Sequence, residues 1–595
     1  MRFEKRTPQL RLRLEGWRSR FVLGLVAAGF AVLAGRAFFL QGLNHGFLQQ
    51  KGEARYGRVV EMPASRGPVK DRNGQPLAIS TPVESIWASP EDFEADDAKL
   101  RSLARALGID AGDIRQKIAN KDRQFVWLKR QISPEQALKV MALNVPGVFQ
   151  QREYRRYYPA GEVMAHVVGF TGIDDSGQEG IELAQQSWLA GTPGSRKVIK
   201  DRKGRIVEDV ESLRVPRDGR ELLLAIDQRL QFLAHRELKA AVEANRAKGG
   251  SLVMLDARSG EVLALVNQPD YNPNNRAAVT GRQTRNRSVT DIFEPGSTMK
   301  PFTVAAALEA GIVKPQTVIQ TAPGSMTIGG WTISDAHPHG ALTVEQVIQK
   351  SSNVGTAKIQ LQMAAEDMGA FYRELGFGAP PQTGFPGEAK GLLRPAAKWK
   401  PIEQATMAYG HGISVSLLQI ARAYTVFTND GHLLPLSLLR RDAHPIGRPL
   451  VSRETAREVS HMMEMAVGPG GTAPRAAVPG YRVAGKTGTA HKPEAGGYAE
   501  NKYVSSFVGF GPVSEPRFIV AVMLDEPAGG RYYGGDVSAP VFASVMGAAL
   551  RMFAVPPSEI IALAKAQGLT LIHQNDREDM KSRPDVRWTY LAFRC

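Results

Sequence analysis

The strongest hydrophobic pattern in the chain is an unbroken apolar stretch over residues 21–40, which reads FVLGLVAAGFAVLAGRAFFL. A helix of about 20 residues is what a bilayer crossing requires. The only charge, Arg36, lies near one end, where a long side chain can reach the headgroups. The pattern therefore predicts a transmembrane helix. A buried helix of a soluble domain fits poorly, because the run is apolar on every side.

Basic residues cluster immediately before this stretch. An excess of Lys and Arg beside a span marks the end that stays inside the cell. We therefore expect residues 1–20 to form a cytoplasmic basic tail and residues 21–40 to be an uncleaved anchor. A cleaved signal peptide is the alternative, since small residues flank Arg36 at a suitable spacing. The apolar run resumes at Phe38, however, which favours the anchor.

Between residues 45 and 215 the pattern is mixed, and no catalytic constellation stands out. Strand pieces flank an Asn-Gly turn at Asn73, helical spacing runs over residues 100–121, and another helix is predicted to begin at Pro134. Residues 166–170 are predicted to form a short strand. The segment is expected to be an α+β pedestal module that acts as a spacer or docking element.

From residue 219 onward the pattern becomes more regular. Two capping boxes, at Thr343 and Ser416, predict helix starts. Two strands are predicted early in this region and three late, at residues 251–266 (both early strands), 482–490, 503–510 and 517–524. The late strands must return beside the early ones to complete a sheet. We therefore predict an α/β domain over residues 219–555, with an antiparallel sheet of about five strands flanked by helices.

Composition changes this picture only slightly. With 595 residues, of which 43% are hydrophobic and 23% charged, the chain is long enough for two or three globular domains. The formal net charge of +16 raises nucleic acid as a ligand. Most basic residues are spread along the chain without zinc-finger spacing, so we expect no nucleic-acid partner. The single cysteine, Cys595, allows no disulfide within the chain, and residues 556–595 are predicted to be a polar tail.

Candidate chemistry begins with the stretch EPGSTMK, which places Ser297 three residues before Lys300. Gly296 permits a sharp turn, and a helix beginning at Ser297 would put both side chains on one face. A serine needs a neighbouring base to attack, and a lysine is such a base when burial or nearby positive charge lowers its pKa. A helix start also offers N–H groups to a developing anion.

Alone, this motif is weak, but two later stretches strengthen it. They read SSN from Ser351 and KTGT from Lys486. In this order, S-x-x-K, S-x-N and K-T-G form the set found in β-lactamases and penicillin-binding proteins. Their joint occurrence by chance is improbable.

These residues resemble the class B penicillin-binding proteins, the D,D-transpeptidases that cross-link peptidoglycan. The likeness covers most of the chain, including the stretches that begin at Arg66, Tyr158, Tyr409 and Gly470. The sequence around Ser297 is most similar to that of the septal, cell-division type, also called penicillin-binding protein 3. The elongation type is the alternative. No acidic signature of a glycosyltransferase domain is present in the sequence, so glycan polymerisation is not expected.

The resemblance implies a role for each residue of the first two motifs. Ser297 would attack the carbonyl of the D-Ala–D-Ala terminus of a stem peptide. Lys300 would be the base for this acylation. Ser351 would relay a proton to the leaving amine, and Asn353 would orient Lys300 and the substrate amide.

The same resemblance assigns the third motif to substrate binding. Lys486 would place positive charge near Ser351. The hydroxyls of Thr487 and Thr489 would hold the terminal carboxylate of the substrate, and Gly488 would leave room for the sheet edge to approach the nucleophile. The backbone N–H groups of Ser297 and Thr489 would form the oxyanion hole.

Partners and location also follow from the resemblance. The expected substrates are peptidoglycan stem peptides and lipid-linked precursor glycan, and β-lactam antibiotics would acylate Ser297. A membrane glycan polymerase and other division proteins are expected partners, and no cofactor or metal is expected. The protein would cross the bacterial cytoplasmic (inner) membrane once, with its N-terminus inside and its catalytic domain in the periplasm.

Three other functions compete with this interpretation: a serine β-lactamase, a penicillin sensor and an inactive scaffold. A β-lactamase would need a carboxylate that positions water, and no such element stands out between the second and third motifs. A sensor would need an effector domain, and a scaffold would not need all three motifs.

Some other residues in the chain could suggest function. His337 and His339 are expected to lie in a loop rather than to bind metal, since no third ligand has suitable spacing. His411 is expected to be structural. Tyr532 and Tyr533 are expected in a loop after the last strand, with substrate contact as the alternative.

Overall fold

The structure, a computed structural model, describes residues 16–43, 57–200, 206–494 and 497–558. The expectations for residues 1–15 and 559–595, most of the two predicted tails, lie outside the described residues. The chain divides into two compact units. The first comprises residues 1–64, 82–153 and 192–217, and the second comprises residues 65–81, 154–191 and 218–595.

The apolar segment forms the helix Gly16–Phe38, which is followed by the wider helical turn Phe39–Leu43. Within the described part of the chain, no side chain of the helix Gly16–Phe38 is buried. The stretch Gly16–Gly42 is 27 residues long, and an 18-residue window within it has a mean hydropathy of 2.0. Its length and composition fit a single membrane-spanning anchor.

The first unit combines a small helical core with a three-stranded antiparallel sheet. Residues 100–121, which carry helical spacing, lie mostly in two helices, because Gly108 adopts a left-handed conformation (φ 62°) that ends the first. The helices are Asp97–Leu107, Ala111–Ile118 and Pro134–Met141, and they share a core with the strand Val126–Ile132. The sheet joins Gly57–Met62, Gly194–Lys200 and Ile206–Arg214. Two long strands, Pro76–Ala88 and Val148–Tyr157, have residues in both units.

A buried ionic cluster ties together the early segments of the second unit. The Glu182 carboxylate accepts from Arg66 Nε at 2.5 Å and from Arg156 Nε at 2.6 Å, and the three side chains are at most 1% exposed. Arg156 also donates to Gly67 O at 2.8 Å. One carboxylate therefore keeps two guanidinium charges inside the protein.

The strand predicted over residues 166–170 is wrong. The chain forms the short helix Ala165–Val168, which ends at Gly169 with a φ of 75°. His166 Nε2 donates to Gln283 O at 2.8 Å. A short apolar run of this length fits a strand or a buried helix equally well by periodicity, and here the tertiary contacts decide.

The centre of the second unit is an antiparallel sheet of five strands, which confirms the predicted fold. Val520 lies opposite Met254, so the late strands do return beside the early ones. In spatial order the strands are Val262–Gln268, Gly249–Asp256, Phe518–Asp525, Gly497–Gly511 and Ala484–Glu494. The strand that carries Lys486 is therefore an edge strand.

Alternate residues of this sheet face two apolar cores, as the two-residue period of a strand requires. Met254 belongs to the core that includes the helices Gln228–Ala244 and Ala539–Met552. Leu255 belongs to the other core, which includes the helix Lys300–Glu309. The helix that follows Ser297 is thereby packed against one face of the sheet.

Shorter elements complete the second unit, and both predicted capping boxes are present. The remaining helices are Gly180–Ala184, Gln186–Leu189, Gly281–Thr284, Arg287–Thr290, Val344–Lys350, Asn353–Gln360, Ala365–Glu374, Pro401–Met407, Leu417–Ala423, Thr425–Thr428, Arg453–Val467 and Gly534–Val537. Single 3₁₀ turns span Gly161–Val163, Gly296–Met299, Ala396–Lys398 and Pro474–Ala476. The short strands are Val69–Lys70, Leu222–Leu223, Val318–Gln320, Ser325–Ile328, Trp331–Ser334, Ala341–Thr343, His432–Leu433 and Arg448–Pro449.

Candidate active site

Ser297 lies on the 3₁₀ turn Gly296–Met299, which leads directly into the helix Lys300–Glu309. The serine is therefore on a tighter turn than the α-helix start that the sequence predicts. The backbone oxygen of Thr298 accepts from the buried Tyr424 hydroxyl at 3.1 Å. This contact fixes the turn to the core beneath it.

Lys300 is completely buried. Its Nζ donates to Asn353 Oδ1 at 2.8 Å and to the backbone oxygen of Ser351, and Ser351 Oγ lies 3.1 Å away. Among the hydrogen bonds of the described residues, none joins Lys300 to Ser297. A neutral amine can satisfy the two acceptors with its two N–H groups, and its lone pair then remains available for a hydroxyl proton.

A second lysine approaches the same hydroxyl from the edge strand of the sheet. Lys486 Nζ donates to Ser351 Oγ at 2.8 Å and to Thr487 Oγ1 at 3.2 Å, and Lys486 is also completely buried. Ser351 ends the helix Val344–Lys350 in the left-handed conformation, with φ 61°. This backbone state is uncommon for a residue other than glycine, and such residues cluster at functional sites.

The two lysines differ in their expected charge. Burial lowers the pKa of Lys300 well below the ordinary lysine value, and the Lys486 charge lowers it further, against an opposing effect of Asp335. Burial lowers the pKa of Lys486 to about 7. When two ammonium groups lie beside one hydroxyl in a site without water, the charge of each lowers the pKa of the other. The arrangement favours a neutral Lys300, able to accept a proton, beside a Lys486 that is still partly protonated at neutral pH.

Gly488 lets the edge strand lie directly against the 3₁₀ turn Gly296–Met299, which carries Ser297 and is called the nucleophile turn below. A Cβ at this position would lie 2.7 Å from Pro295 O and 3.0 Å from Thr298 Cγ2. On the other side it would lie 2.3 Å from Ser506 Oγ. The next residue, Thr489, accepts from Gly534 N at 3.0 Å through its hydroxyl. Any side chain larger than hydrogen at position 488 would push the strand away from the turn.

Asp335 supports the SSN motif, and the sequence gives no sign of this role. Its carboxylate accepts from Ser352 Oγ at 2.7 Å and from Val354 N at 2.9 Å, and also from Asn353 N. It thus places a negative charge at the start of the helix Asn353–Gln360, where the helix dipole favours one. Asn353 is thereby held with its Oδ1 towards Lys300. No local spacing links Asp335 to the motif, since Ser352 lies 17 residues further on.

The motif residues meet at an open cleft of about 610 Å³. Its lining includes five of the predicted site residues, Ser297, Ser351, Asn353, Thr487 and Thr489, while Lys300 and Lys486 are completely buried. The other lining residues were given little or no role by the sequence, and they include His337, His339, Tyr409, His411, Thr472, Arg475, Tyr532 and Tyr533. The two loop histidines and the tyrosine pair therefore lie where a substrate would contact them.

Within the parts of the chain that the structure describes, no group of three or more His, Cys, Asp or Glu side chains could hold a metal ion. The groups arranged for chemistry at the cleft are two serine hydroxyls, two lysine amines and an amide. Such a set suits acyl transfer through a serine ester.

Comparison with known families agrees with this arrangement. Residues 250–547 match the penicillin-binding protein transpeptidase domain, and residues 61–224 match the penicillin-binding protein dimerisation domain. The first match contains all three motifs, and the second overlaps the predicted pedestal, residues 45–215, over residues 61–215 and extends to residue 224.

Individual relatives extend over nearly the whole chain. A probable peptidoglycan D,D-transpeptidase PenA from Neisseria gonorrhoeae is 45% identical over 551 residues, covering 92% of this chain and 94% of the relative. The peptidoglycan D,D-transpeptidase FtsI of Escherichia coli K12 is 42% identical over 552 residues, covering 91% and 93%. The transpeptidase domain of penicillin-binding protein 3 from Burkholderia pseudomallei matches with a TM-score of 0.53 and 48% identity, covering 56% of this chain and 97% of that domain. By these matches, the chain belongs to the class B penicillin-binding proteins.

Proposed function

We propose that this protein is a serine D,D-transpeptidase that cross-links peptidoglycan stem peptides at the division septum. The observation that carries the proposal is the convergence of Lys300 and Lys486 on Ser351 Oγ, at 3.1 Å and 2.8 Å, behind the cleft that exposes Ser297. This arrangement can move a proton between a serine nucleophile and an amine leaving group. The septal role is supported by the likeness to FtsI.

Acylation would begin with attack of Ser297 Oγ on the carbonyl of the penultimate D-alanine. The hydroxyl proton passes to the neutral amine of Lys300. Ser351 then relays a proton to the nitrogen of the terminal D-alanine as the C–N bond breaks. Asn353 keeps the Lys300 amine in position through its Oδ1.

Substrate binding would be the task of the edge strand. Thr487 and Thr489 flank Gly488 on this strand, and both line the cleft. Their hydroxyls, with the charge of Lys486, would hold the terminal carboxylate. The N–H groups of Ser297 and Thr489 would stabilise the oxyanion. β-Lactams would enter the same site and leave a stable ester on Ser297.

Penicillin labelling tests this function directly. The purified protein should form a lasting covalent adduct with a fluorescent penicillin, and mass spectrometry should place the adduct on Ser297. Rapid turnover of the adduct would instead indicate a β-lactamase. Ser102→Ala, a substitution of a half-buried helix serine in the first unit, is the matched control for Ser297→Ala. Label on the Ser297→Ala protein would refute the assignment.

The septal role needs a cellular test. Depletion of the protein should give filaments if it acts in division, whereas spheres would indicate the elongation type. We also propose that residues 45–215 form the pedestal and residues 219–555 the transpeptidase domain, and that the chain is anchored with its N-terminus inside and its catalytic domain in the periplasm.

A membrane glycan polymerase and other division proteins would be partners, contacting the anchor and the pedestal. The test is a soluble form exported from Gly46 onward. If this form cross-links nascent glycan in cells as well as the full chain does, partnership through the anchor is excluded.

A further inference from the structure

Glu294, three residues before Ser297, is a buried carboxylate with one unpaired oxygen. Its Oε1 accepts from Gly412 N at 2.8 Å and from Tyr498 OH at 3.1 Å. Its Oε2 is buried and has no hydrogen-bond partner within the described residues. Leaving such an atom unpaired is unfavourable. The reaction sequence above uses neither oxygen.

His411 connects this oxygen to the cleft. Its Nδ1 lies 4.0 Å from Glu294 Oε2, and the residue lines the same cleft as Ser297. The imidazole lies between two aromatic rings, with centroid distances of 5.2 Å to Tyr409 and 5.9 Å to Tyr498. The expectation from the sequence, a purely structural histidine, does not account for a position between a buried carboxylate and the substrate cleft.

Backbone contacts fix His411 relative to the nucleophile turn. Gly296 N donates to Gly410 O at 3.2 Å, and Gly412 N donates to the carboxylate of Glu294. A Cβ on Gly410 would lie only 2.2 Å from Gly296 O, so the two segments are in direct contact. The histidine between the two glycines is therefore held beside the turn that carries the nucleophile.

The electrostatic setting keeps the imidazole neutral. Burial is the main cause that lowers the pKa of His411 to about 4, and Lys300 and His491 act in the same direction when they are protonated. Burial raises the pKa of Glu294, against the opposing effect of its two hydrogen bonds. The titratable groups around the imidazole are Glu294, Lys300, Tyr409, His491 and Tyr498. A carboxylate facing Nδ1 favours the tautomer with its proton there, which leaves the Nε2 lone pair available to a ligand.

The second half of the proposed reaction, in which an acceptor amine attacks the ester on Ser297, needs a base near the cleft. A primary amine of a second stem peptide reaches the site as an ammonium ion, which cannot attack an ester until it loses a proton. The removal of water lowers the pKa of such an amine, and so does the positive charge of protonated Lys486. A neutral base backed by a carboxylate of raised pKa is suited to take that proton.

We propose that His411 and Glu294 bind the acceptor as its ammonium ion and remove the proton that makes it a nucleophile. The ammonium N–H bond breaks and its proton goes to His411 Nε2, while the Nδ1 proton passes to Glu294 Oε2. An ammonium and a carboxylate become a neutral amine and a carboxylic acid. The amine then attacks the ester on Ser297, and its remaining surplus proton returns to Ser297 Oγ through Ser351 and Lys300.

This inference rests on the proposed function and deepens it. His411 is the catalytic residue of the deprotonation step, since it would touch the acceptor. Glu294 is a positioning residue and proton store that acts through His411. The distance of 4.0 Å between His411 Nδ1 and Glu294 Oε2 would shorten to a hydrogen bond as charge develops, since catalytic hydrogen bonds often tighten only in the transition-state complex.

The test uses the full-length protein and separates the two half-reactions. A fluorescent penicillin reports acylation, and a thioester donor with a soluble D-amino acid acceptor reports transfer to an amine. At neutral pH, His411→Gln and Glu294→Gln should each slow amine transfer by about a hundredfold, the low end of general acid–base effects. Penicillin acylation should proceed at close to its normal rate. The control is His461→Gln, because His461 forms a similar pair with Glu464 at 3.8 Å but is 60% exposed on a helix.

The pH profile distinguishes proton removal from a structural effect. As the pH rises towards the pKa of the acceptor amine, the acceptor loses its proton in solution, so the defect of both variants should shrink. An equal loss of acylation and transfer, or a transfer defect that does not change with pH, would overturn the inference. Failure of the unaltered protein to react with penicillin would instead count against the proposed function itself.

Discussion

Lys300 and Lys486 direct their amine nitrogens at one atom, Ser351 Oγ, from 3.1 Å and 2.8 Å. Each lysine is completely buried. One approaches from the helix that begins after the nucleophile turn, and the other approaches from the edge strand of the sheet. The charge of the second lysine therefore helps to set the basicity of the first.

This relationship predicts how the pH dependence of acylation responds to Lys486→Met, which removes a charge and keeps a long side chain. The Lys486 charge lowers the pKa of Lys300. Its loss should raise that pKa, so a smaller fraction of Lys300 is neutral at pH 7. The rising limb of acylation rate against pH should then move to higher pH. Stopped-flow rates with a chromogenic β-lactam measure this, with exposed Lys314→Met as control. A shift to lower pH would contradict the coupling.

Gly488→Ala should reduce acylation, because the new Cβ would lie 2.7 Å from Pro295 O and 2.3 Å from Ser506 Oγ. Overpacking of this kind costs about 1–3 kcal/mol and forces the backbone to shift. The edge strand would move away from the nucleophile turn and separate Thr489 from Ser297. Penicillin acylation rates and thermal unfolding measure the effect. Gly281→Ala is the control, since its Cβ would have no neighbour within 4 Å. Normal acylation by the Gly488→Ala protein would show that the close approach is not needed.

Glu182→Gln should strongly destabilise the second unit. The change leaves Arg66 and Arg156, each about 1% exposed, without a buried counter-charge. Breaking a buried pair in this way costs about 3–5 kcal/mol. Urea unfolding followed by circular dichroism measures the loss. Glu515→Gln breaks an exposed pair with Arg258 and should cost less than about 1 kcal/mol. Equal stability of the two variants would show that the cluster does not support the fold.

Several elements of the fold could be predicted because they are encoded locally. The capping box at Thr343 is contained in four residues, and the three inner and early strands of the sheet, Gly249–Asp256, Val262–Gln268 and Phe518–Asp525, are mainly apolar runs. The two late strands that pair at the sheet edge extend beyond their predicted ends, to Ala484–Glu494 and Gly497–Gly511, through polar residues that no apolar pattern marks. The split at Gly108 and the helix Ala165–Val168 escaped prediction for different reasons. The first depends on one residue that takes a left-handed conformation. The second depends on contacts with distant segments, which no periodicity records.

The site shows the same division between local and distant information. The motifs predict which residues matter, and the resemblance implies their roles. The contact between Lys486 and Ser351 joins residues 135 positions apart, and only the fold creates it. The contacts of Asp335 with the SSN motif and of Glu294 with His411 also join residues that are distant in sequence, so only the fold reveals them. A carboxylate that acts through a helix start or a half-buried imidazole leaves no spacing pattern in the sequence.

The N-terminal helix should remain attached as an anchor. The helix Gly16–Phe38 is long and apolar enough to span a bilayer, and basic residues precede residue 21. The protein should therefore stay with the membrane fraction after washing with carbonate, and its N-terminus should be intact. N-terminal sequencing that began at Phe38 would identify a cleaved signal peptide instead. Extraction by detergent alone would agree with a spanning helix.

The remaining prediction ranks the site residues by their effect on acylation. Ser297→Ala should abolish penicillin labelling and leave the fold intact, since the Ser297 side chain caps neither its own 3₁₀ turn nor the helix that follows. Lys300→Ala should be nearly as damaging, because a serine without a base attacks poorly. Lys486→Ala should come next, because it removes charge beside Ser351 and weakens carboxylate binding. Asn353→Ala should be mildest.

Asn353→Ala should reduce acylation least of the four changes, because Asn353 supplies hydrogen bonds rather than a proton. Its Oδ1 accepts from Lys300 at 2.8 Å and its Nδ2 donates to Ser334 O at 2.9 Å. Losing such bonds costs about 1–3 kcal/mol when partners are left buried and unpaired. Second-order acylation rates on the four purified variants decide the order, with circular dichroism to confirm folding. If Lys300→Ala kept more than about a tenth of the rate, a barrier change below roughly 1.4 kcal/mol, Lys300 would not be the principal base. The proton path through Ser351 would then have to begin at Lys486, whose pKa of about 7 also permits a neutral amine.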